Sequence, residues 1–315
     1  MKTLRILCGF ILASGLVSQS LAEWSPPGPI TMLIAFKAGG GADTQSRLIA
    51  EELEARHGWK IIPKQLTGKG GAVLAAAMKD EPNDGSVIGM VVSETFDYNM
   101  IAAKNAGYDQ NDFTYLTTTA GFQMGIVSKT DKGWKTMEDV FAAAKSGEPI
   151  RFGAMSPKLS DLAYLLGKAN DVEFNIVSTK GGKGTMNGLN AGDIDVGWGA
   201  GIQNKAVLAG DMVNLASGLS VPLEVSPDAP LTRDLGLPFL ADGYFLFAAP
   251  AGLSDEARNS ITSAIVDIIS DESTKAAQFL NKAFGGAHII QGDDLDQFLA
   301  GSLEDSRTIL EEASK

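Results

Sequence analysis

The chain is poor in reactive side chains. Its 315 residues include two histidines and one cysteine. That cysteine, Cys8, sits in the first few residues, so a chain processed near its start carries no thiol and no disulfide. Disulfides are needed chiefly by small domains, and a chain of this length can bury cores without them. Catalytic signatures are scarce too. No HExxH zinc motif and no GxSxG nucleophile elbow occurs, and no spacing suggests a metal-ligand cluster. His57 closes a charged helix and His288 sits among apolar residues, which suits neither as a general base. Long apolar runs are missing after the first twenty residues, and about 18 are needed to span a bilayer. Positive charge is short as well, with 26 Lys and Arg against 38 Asp and Glu. A net −12 surface is a poor match for nucleic acid or anionic lipid. It leaves room for a small anion held locally by backbone N–H groups.

What is present begins with an address. Lys2 and Arg5 precede an apolar run from Ile6 to Val17, and Ser20-Leu21-Ala22 supplies small residues for a peptidase. This is the order of a secretory signal peptide. The sequence therefore predicts cleavage after Ala22, release into a periplasm, and a mature chain from Glu23. The alternative is an uncleaved anchor. Losing Lys2 and Arg5, with no acid, takes the charge from −12 to −14.

Short β-rich runs alternate with helical periodicity, the α/β signature. Ile30–Phe36, Lys60–Gln65 and the apolar Val87–Ser93 read as strands, and Asp43–His57 and Ala72–Lys79 as helices. In the second half, helices are expected over Thr136–Ser146, Leu159–Ala169 and Thr185–Ala191. From Ser254 the chain reads as mainly helical. No polar linker separates two halves. Two lobes joined by crossing strands, with crossings near Gly121–Ser128 and Asp242–Ala249, account for this better than two domains in series.

Four glycine clusters mark strand-to-helix turns. Ala38-Gly39-Gly40-Gly41-Ala42-Asp43 comes first, with Asp43 placed to cap the following helix. It is not a dinucleotide fingerprint, because Thr44 stands where the third glycine belongs. Gly68-Lys69-Gly70-Gly71 is second, and it fails as a P-loop because Gly70 follows Lys69 where Ser or Thr is required. Gly153-Ala154-Met155-Ser156 with Ser160, and Lys180-Gly181-Gly182-Lys183-Gly184-Thr185, complete the set. Loops of this kind at the carboxyl edge of a parallel sheet are where open α/β folds bind ligands. Ser160 and Thr185 can serve as helix caps or as ligand donors. Asp193 and Asp195 can form an acid pair or a turn cap.

In this order the loops resemble those of the periplasmic solute-binding proteins of tripartite tricarboxylate transporters, the Bug family. The resemblance runs from Pro29-Ile30 through Phe36–Gly40, Asp43 and Arg47 to Gly68–Gly71 and Pro82-Asn83-Asp84-Gly85. It continues through Lys135–Asp139, Phe152-Gly153, Lys180–Gly182 and Gly192–Asp195 to Ala249–Leu253. Thr179, Gln65 and Ala75 depart from the family pattern, which bears on the distal half of the pocket.

The resemblance implies a type II periplasmic-binding-protein fold, a two-lobed Venus flytrap. Lobe 1 would comprise 23–124 plus 246–315, and lobe 2 would comprise 125–245. It implies no enzyme activity and no cofactor. A small organic carboxylate, a di- or tricarboxylate or an aromatic acid, would be captured by a monomer for membrane permease subunits. Ala38, Gly39, Gly40, Gly41, Ala42, Asp43, Gly70, Gly71 and Ser93 would hold it from one lobe, and Ser156, Ser160, Thr185 and Asp195 from the other. A sensory protein of the same fold, and a secreted α/β hydrolase, are the rival expectations.

Overall fold

The computed structural model describes residues 24–315; the expected signal peptide lies outside the described residues. Two five-stranded sheets organise the chain. The first is built from β1 (Ile30–Ile34), β2 (Ile61–Gln65), β3 (Val87–Val92), β4 (Phe113–Gly121) and β10 (Tyr244–Pro250), in the order β2-β1-β3-β10-β4. The second holds β5 (Met124–Lys129), β6 (Arg151–Ala154), β7 (Asn175–Ser178), β8 (Val196–Ala200) and β9 (Met212–Ser217), in the order β7-β6-β8-β5-β9.

The two sheets share one plan. In the first, β2, β1 and β3 run parallel, with Met32 opposite Ile88, and β10 runs antiparallel to β3 and β4. In the second, β7, β6 and β8 run parallel and β5 runs antiparallel to β8 and β9. The chain leaves the first sheet after Gly121, enters the second at Met124, and returns between Ser217 and Tyr244. The matched order puts the carboxyl ends of the parallel strands, and the helices that follow them, on facing edges.

Those helices are α1 (Gly41–His57), α2 (Ala72–Met78), α5 (Pro157–Ala169) and α6 (Gly181–Ala191). The others are α3 (Tyr98–Ala102), α4 (Met137–Lys145), α7 (Asn204–Leu208), α8 (Asp255–Ser270), α9 (Lys275–Phe284) and α10 (Gly292–Ala313). Side-chain caps start several of them. Thr136 accepts from the Asp139 N–H in a reciprocal capping box, and Ser254 and Thr274 cap α8 and α9. Three helices start earlier than the sequence suggests: α1 at Gly41 rather than Asp43, α5 at Pro157 rather than Leu159, and α6 at Gly181 rather than Thr185. Each adds a first turn of glycine or proline, residues that helix propensity reads as breakers.

Apolar faces close around both sheets. Ile30, Met32 and Ile34 pack with Ile49 and Leu53 of α1 and with Ile261, Ile265 and Ile268 of α8, while Leu33 and Val91 meet Leu74 and Met78 of α2 on the opposite face. Phe152, Trp198, Leu162 and Leu166 fill the second lobe, where the Trp198 indole N–H donates to the Leu159 carbonyl at 2.8 Å. Each such buried side chain contributes roughly 1.5–3 kcal/mol of transfer free energy. α10 packs against β4 of the first lobe and α5 of the second, spanning the two bodies. Among the described residues, no helix is long and apolar enough to cross a membrane.

Candidate functional site

The facing edges enclose a cleft with two joined chambers. The inner one has a free volume of about 50 Å³ and is walled by Phe36, Phe122, Met124, Leu159, Phe245 and Phe284, with Glu94 at one side. The outer one is wider, about 480 Å³, and includes Gly68, Lys69, Asn99, Ser160 and Thr179. Lys37, Gly70, Ser156, Lys180 and Gly181 border both.

Three helices aim their N-terminal ends here. Gly40, Gly41 and Ala42 bring the start of α1, Ser156 the start of α5, and Gly181, Gly182 and Lys183 the start of α6. The first N–H groups of a helix have no intrahelical acceptor, and the helix dipole adds partial positive charge. Lys37, Lys180 and Lys183 add full charges. A locally cationic pocket thus sits inside a protein of net negative charge.

Glycine lets the lobes come this close. Gly70 adopts φ +61°, and a Cβ there would lie 2.4 Å from the Asn99 side-chain nitrogen and 3.3 Å from Cβ of Ser156 across the cleft. Gly181 adopts φ +70°, and a Cβ would meet the Phe36 ring of the opposite lobe at 3.3 Å. Its carbonyl ties down the second loop: the Gly70 oxygen accepts from the Asn99 amide and the Thr95 hydroxyl, each at 3.0 Å.

The residues expected at the site divide into two groups. Gly40, Gly41, Ala42, Gly70, Ser156 and Ser160 line the cleft. The other expected residues point elsewhere. Ala38 and Gly39 are exposed and border neither chamber. Asp43 is not the cap of α1. Gly40 holds that position without a side-chain bond, and Asp43 lies in the first turn with its carboxylate turned back. It accepts from the Gly39 N–H at 2.8 Å, from Arg47 at 2.9 Å and from the Gln65 amide, so it braces the loop from behind. Gly71 (φ +101°) faces Thr95 inside its own lobe.

Ser93 is buried on the other side of the strand end, where its hydroxyl accepts from the Tyr244 N–H at 3.2 Å. Ser156, not Ser160, caps α5, accepting from Leu159 N–H at 3.3 Å. The Ser160 hydroxyl donates to the Ser156 carbonyl at 3.1 Å. Thr185 is fully buried in the second lobe and shares a hydrogen bond with Thr179 at 2.9 Å. Asp195 lies at the start of β8, opposite its carboxyl edge, and makes an ion cluster with Arg151 and Lys132. Burial pushes its carboxyl upward, but Arg151 and Lys132 outweigh this and hold it at about 2.

The cleft contains a residue the sequence did not single out. Glu94 lies two residues past the end of β3, is 2% exposed, and has one carboxylate oxygen with no hydrogen-bond partner. Burial raises its carboxyl to about 7, against the opposing pull of Lys158 and the Ser156 hydroxyl. Lys158 of α5 is buried as well. Burial works against its charge, but Glu94, Asp97 and Asp242 together hold it above the ordinary lysine value. Its ammonium donates to the Asp242 carbonyl at 3.3 Å. The one local signal for Glu94 was an acid placed just after an all-apolar strand. Among the described residues, no group of three or more His, Cys, Asp or Glu could hold a metal ion.

Residues 45–314 match the family model described as the tripartite tricarboxylate transporter family receptor. The chain belongs to this family. A protein of *Cupriavidus necator* described as a UPF0065 protein in the gbd 5′ region is 25% identical over 243 residues, covering 75% of this chain and 72% of that protein. In three dimensions this receptor is similar to the *R. palustris* protein Rpa4515 with adipate, at TM-score 0.81, 20% identity and coverage of 92% and 98%. It is also similar to MatC from *Rhodopseudomonas palustris* with bound malate, at TM-score 0.79, 19% identity and coverage of 90% and 99%. The family and these neighbours are binding proteins, and the shared architecture is the two-lobed α/β fold of periplasmic binding proteins.

Proposed function

We propose that this receptor captures a small organic carboxylate in the periplasm and delivers it to the membrane subunits of a tripartite transporter. The convergence of the α1, α5 and α6 N-termini with Lys37, Lys180 and Lys183 carries the reading. A buried carboxylate must have its acceptors satisfied, and such a ring of N–H and ammonium groups would satisfy them. Adipate and malate on proteins of the same fold support the ligand class. Gly40, Gly41, Ala42, Gly70 and Gly181 would contact the anion through backbone. Ser156 and the three lysines would add side-chain donors.

The inner chamber is too small for such a ligand as it stands, so entry requires the lobes to separate. We take the two sheets as the moving bodies and the two crossings as the hinge, which would turn half-sites into one closed site. Export would follow cleavage after Ala22, and the receptor would act as a monomer. A thermal-shift screen of dialysed protein tests the reading. A true ligand at 100 times its Kd stabilises by about 2.7 kcal/mol. No stabilisation by any organic anion would reject it.

A further inference from the structure

The two chambers differ in charge as well as in size. The outer one carries Lys69 besides the shared Lys37 and Lys180, and no acidic residue borders it. The inner one shares Lys37 and Lys180 and adds Lys183, and Glu94 is the one acid in its largely apolar wall. One oxygen of Glu94 is buried without a hydrogen-bond partner, and a buried acceptor left unsatisfied costs free energy. The charges around it are also unbalanced. Asp97, ahead of α3, and Asp242, on the return crossing, face the same Lys158 as Glu94 does, so three carboxylates share one lysine.

We propose that Glu94 is a specificity-determining residue that selects ligands bearing a hydrogen-bond donor, best an ammonium, at the end opposite their carboxylate. This rests on the reading of the cleft as an anion site. The carboxylate sits against the helix N-termini and lysines of the cleft, and the donor end turns toward Glu94 in the wall of the inner chamber and pairs with its carboxylate. A simple dicarboxylate would set a second anion against Glu94, with Asp97 and Asp242 close behind. The same acid thus rejects one class of ligand and holds the other.

Matched probes separate the classes: 6-aminohexanoate against adipate, and 4-(aminomethyl)benzoate against terephthalate, titrated by calorimetry at about pH 8 where Glu94 is charged. The amine of each pair should bind at least about tenfold more tightly than its dicarboxylate. Glu94→Gln should erase that preference. Lowering the pH of the wild-type protein to about 6 should narrow it too, because Glu94 takes up a proton while the aliphatic ammonium stays charged. Lys158, Asp97, Asp242 and Ser156 face Glu94, and Asp97 and Asp242 do not line the inner chamber, so Glu94 is the carboxylate a ligand meets there. This second readout stands if Glu94→Gln fails to fold. Dicarboxylates winning at both pH values, or an unchanged ranking in Glu94→Gln, would overturn the assignment of Glu94 while leaving the anion site intact. If neither member of either pair binds, the anion reading falls and the role of Glu94 falls with it.

Discussion

Tyr98, at the start of α3 in the first lobe, donates its hydroxyl to the carboxylate of Asp161 on α5 in the second. The bond joins the two lobes within the first turns of α5. Burial pushes the Asp161 carboxyl upward while the Tyr98 hydroxyl opposes it. Tyr98→Phe keeps the packing and removes the donor. It should cost the closed state roughly 1–3 kcal/mol. The expected result is a larger radius of gyration by small-angle scattering and weaker ligand binding. An unchanged radius and affinity would show that the bond does not hold the lobes.

Gly70 should tolerate no side chain. Gly70→Ala places a methyl against Asn99 and Ser156 in a left-handed conformation that only glycine adopts readily. We expect loss of ligand binding of at least about tenfold, out of proportion to any change in melting temperature. Equal affinity in a calorimetric titration would show that the lobes need not approach here.

Asp43 and Asp195 should behave as bracing residues and not as ligand contacts. Asp43→Ala leaves the Gly39 N–H, Arg47 and Gln65 without their shared acceptor, and should cost about 1–3 kcal/mol in urea unfolding. Asp195→Asn should lower stability without changing affinity. Its folded carboxyl is depressed to about 2, so its stabilisation is present above the unfolded value and is lost as pH falls below about 4 toward 2. A variant that loses affinity while keeping its stability would return Asp195 to the site.

Glu94 makes the opposite prediction. Its folded value is about 7 against an ordinary 4.5, so the folded state binds the proton more tightly than the unfolded chain does. Its contribution to stability is therefore greatest below about pH 4.5 and declines as pH rises to 7, by up to a few kcal/mol. Glu94→Gln should flatten that fall between pH 5 and 8, measured as melting temperature across buffers. An equal slope in both proteins would place the titration elsewhere.

Strand positions and glycine loops were legible because they are local. An all-apolar run such as Val87–Val92 specifies a buried strand, and Gly39–Gly41 marks a turn wherever it falls. The site was less legible because it depends on which way a side chain points after the turn. Ser93 and Glu94 are neighbours, yet the short 3-10 turn that follows β3 sends one toward Tyr244 and the other into the cleft. Asp195 looked available in sequence because its partners, Arg151 and Lys132, lie 44 and 63 residues away. The glycine-led starts of α1 and α6 hid from propensity for the reason that suits them to the site: they bring bare backbone to the cleft.

The central claim is that the cleft binds a carboxylate. The most direct test is calorimetric titration of the dialysed protein with malate, adipate and 6-aminohexanoate, with hexanamide as an uncharged control. We predict saturable binding of at least one of the three carboxylates at one per chain, and no binding of hexanamide. Absence of binding by all three, or equal binding of hexanamide, would contradict it.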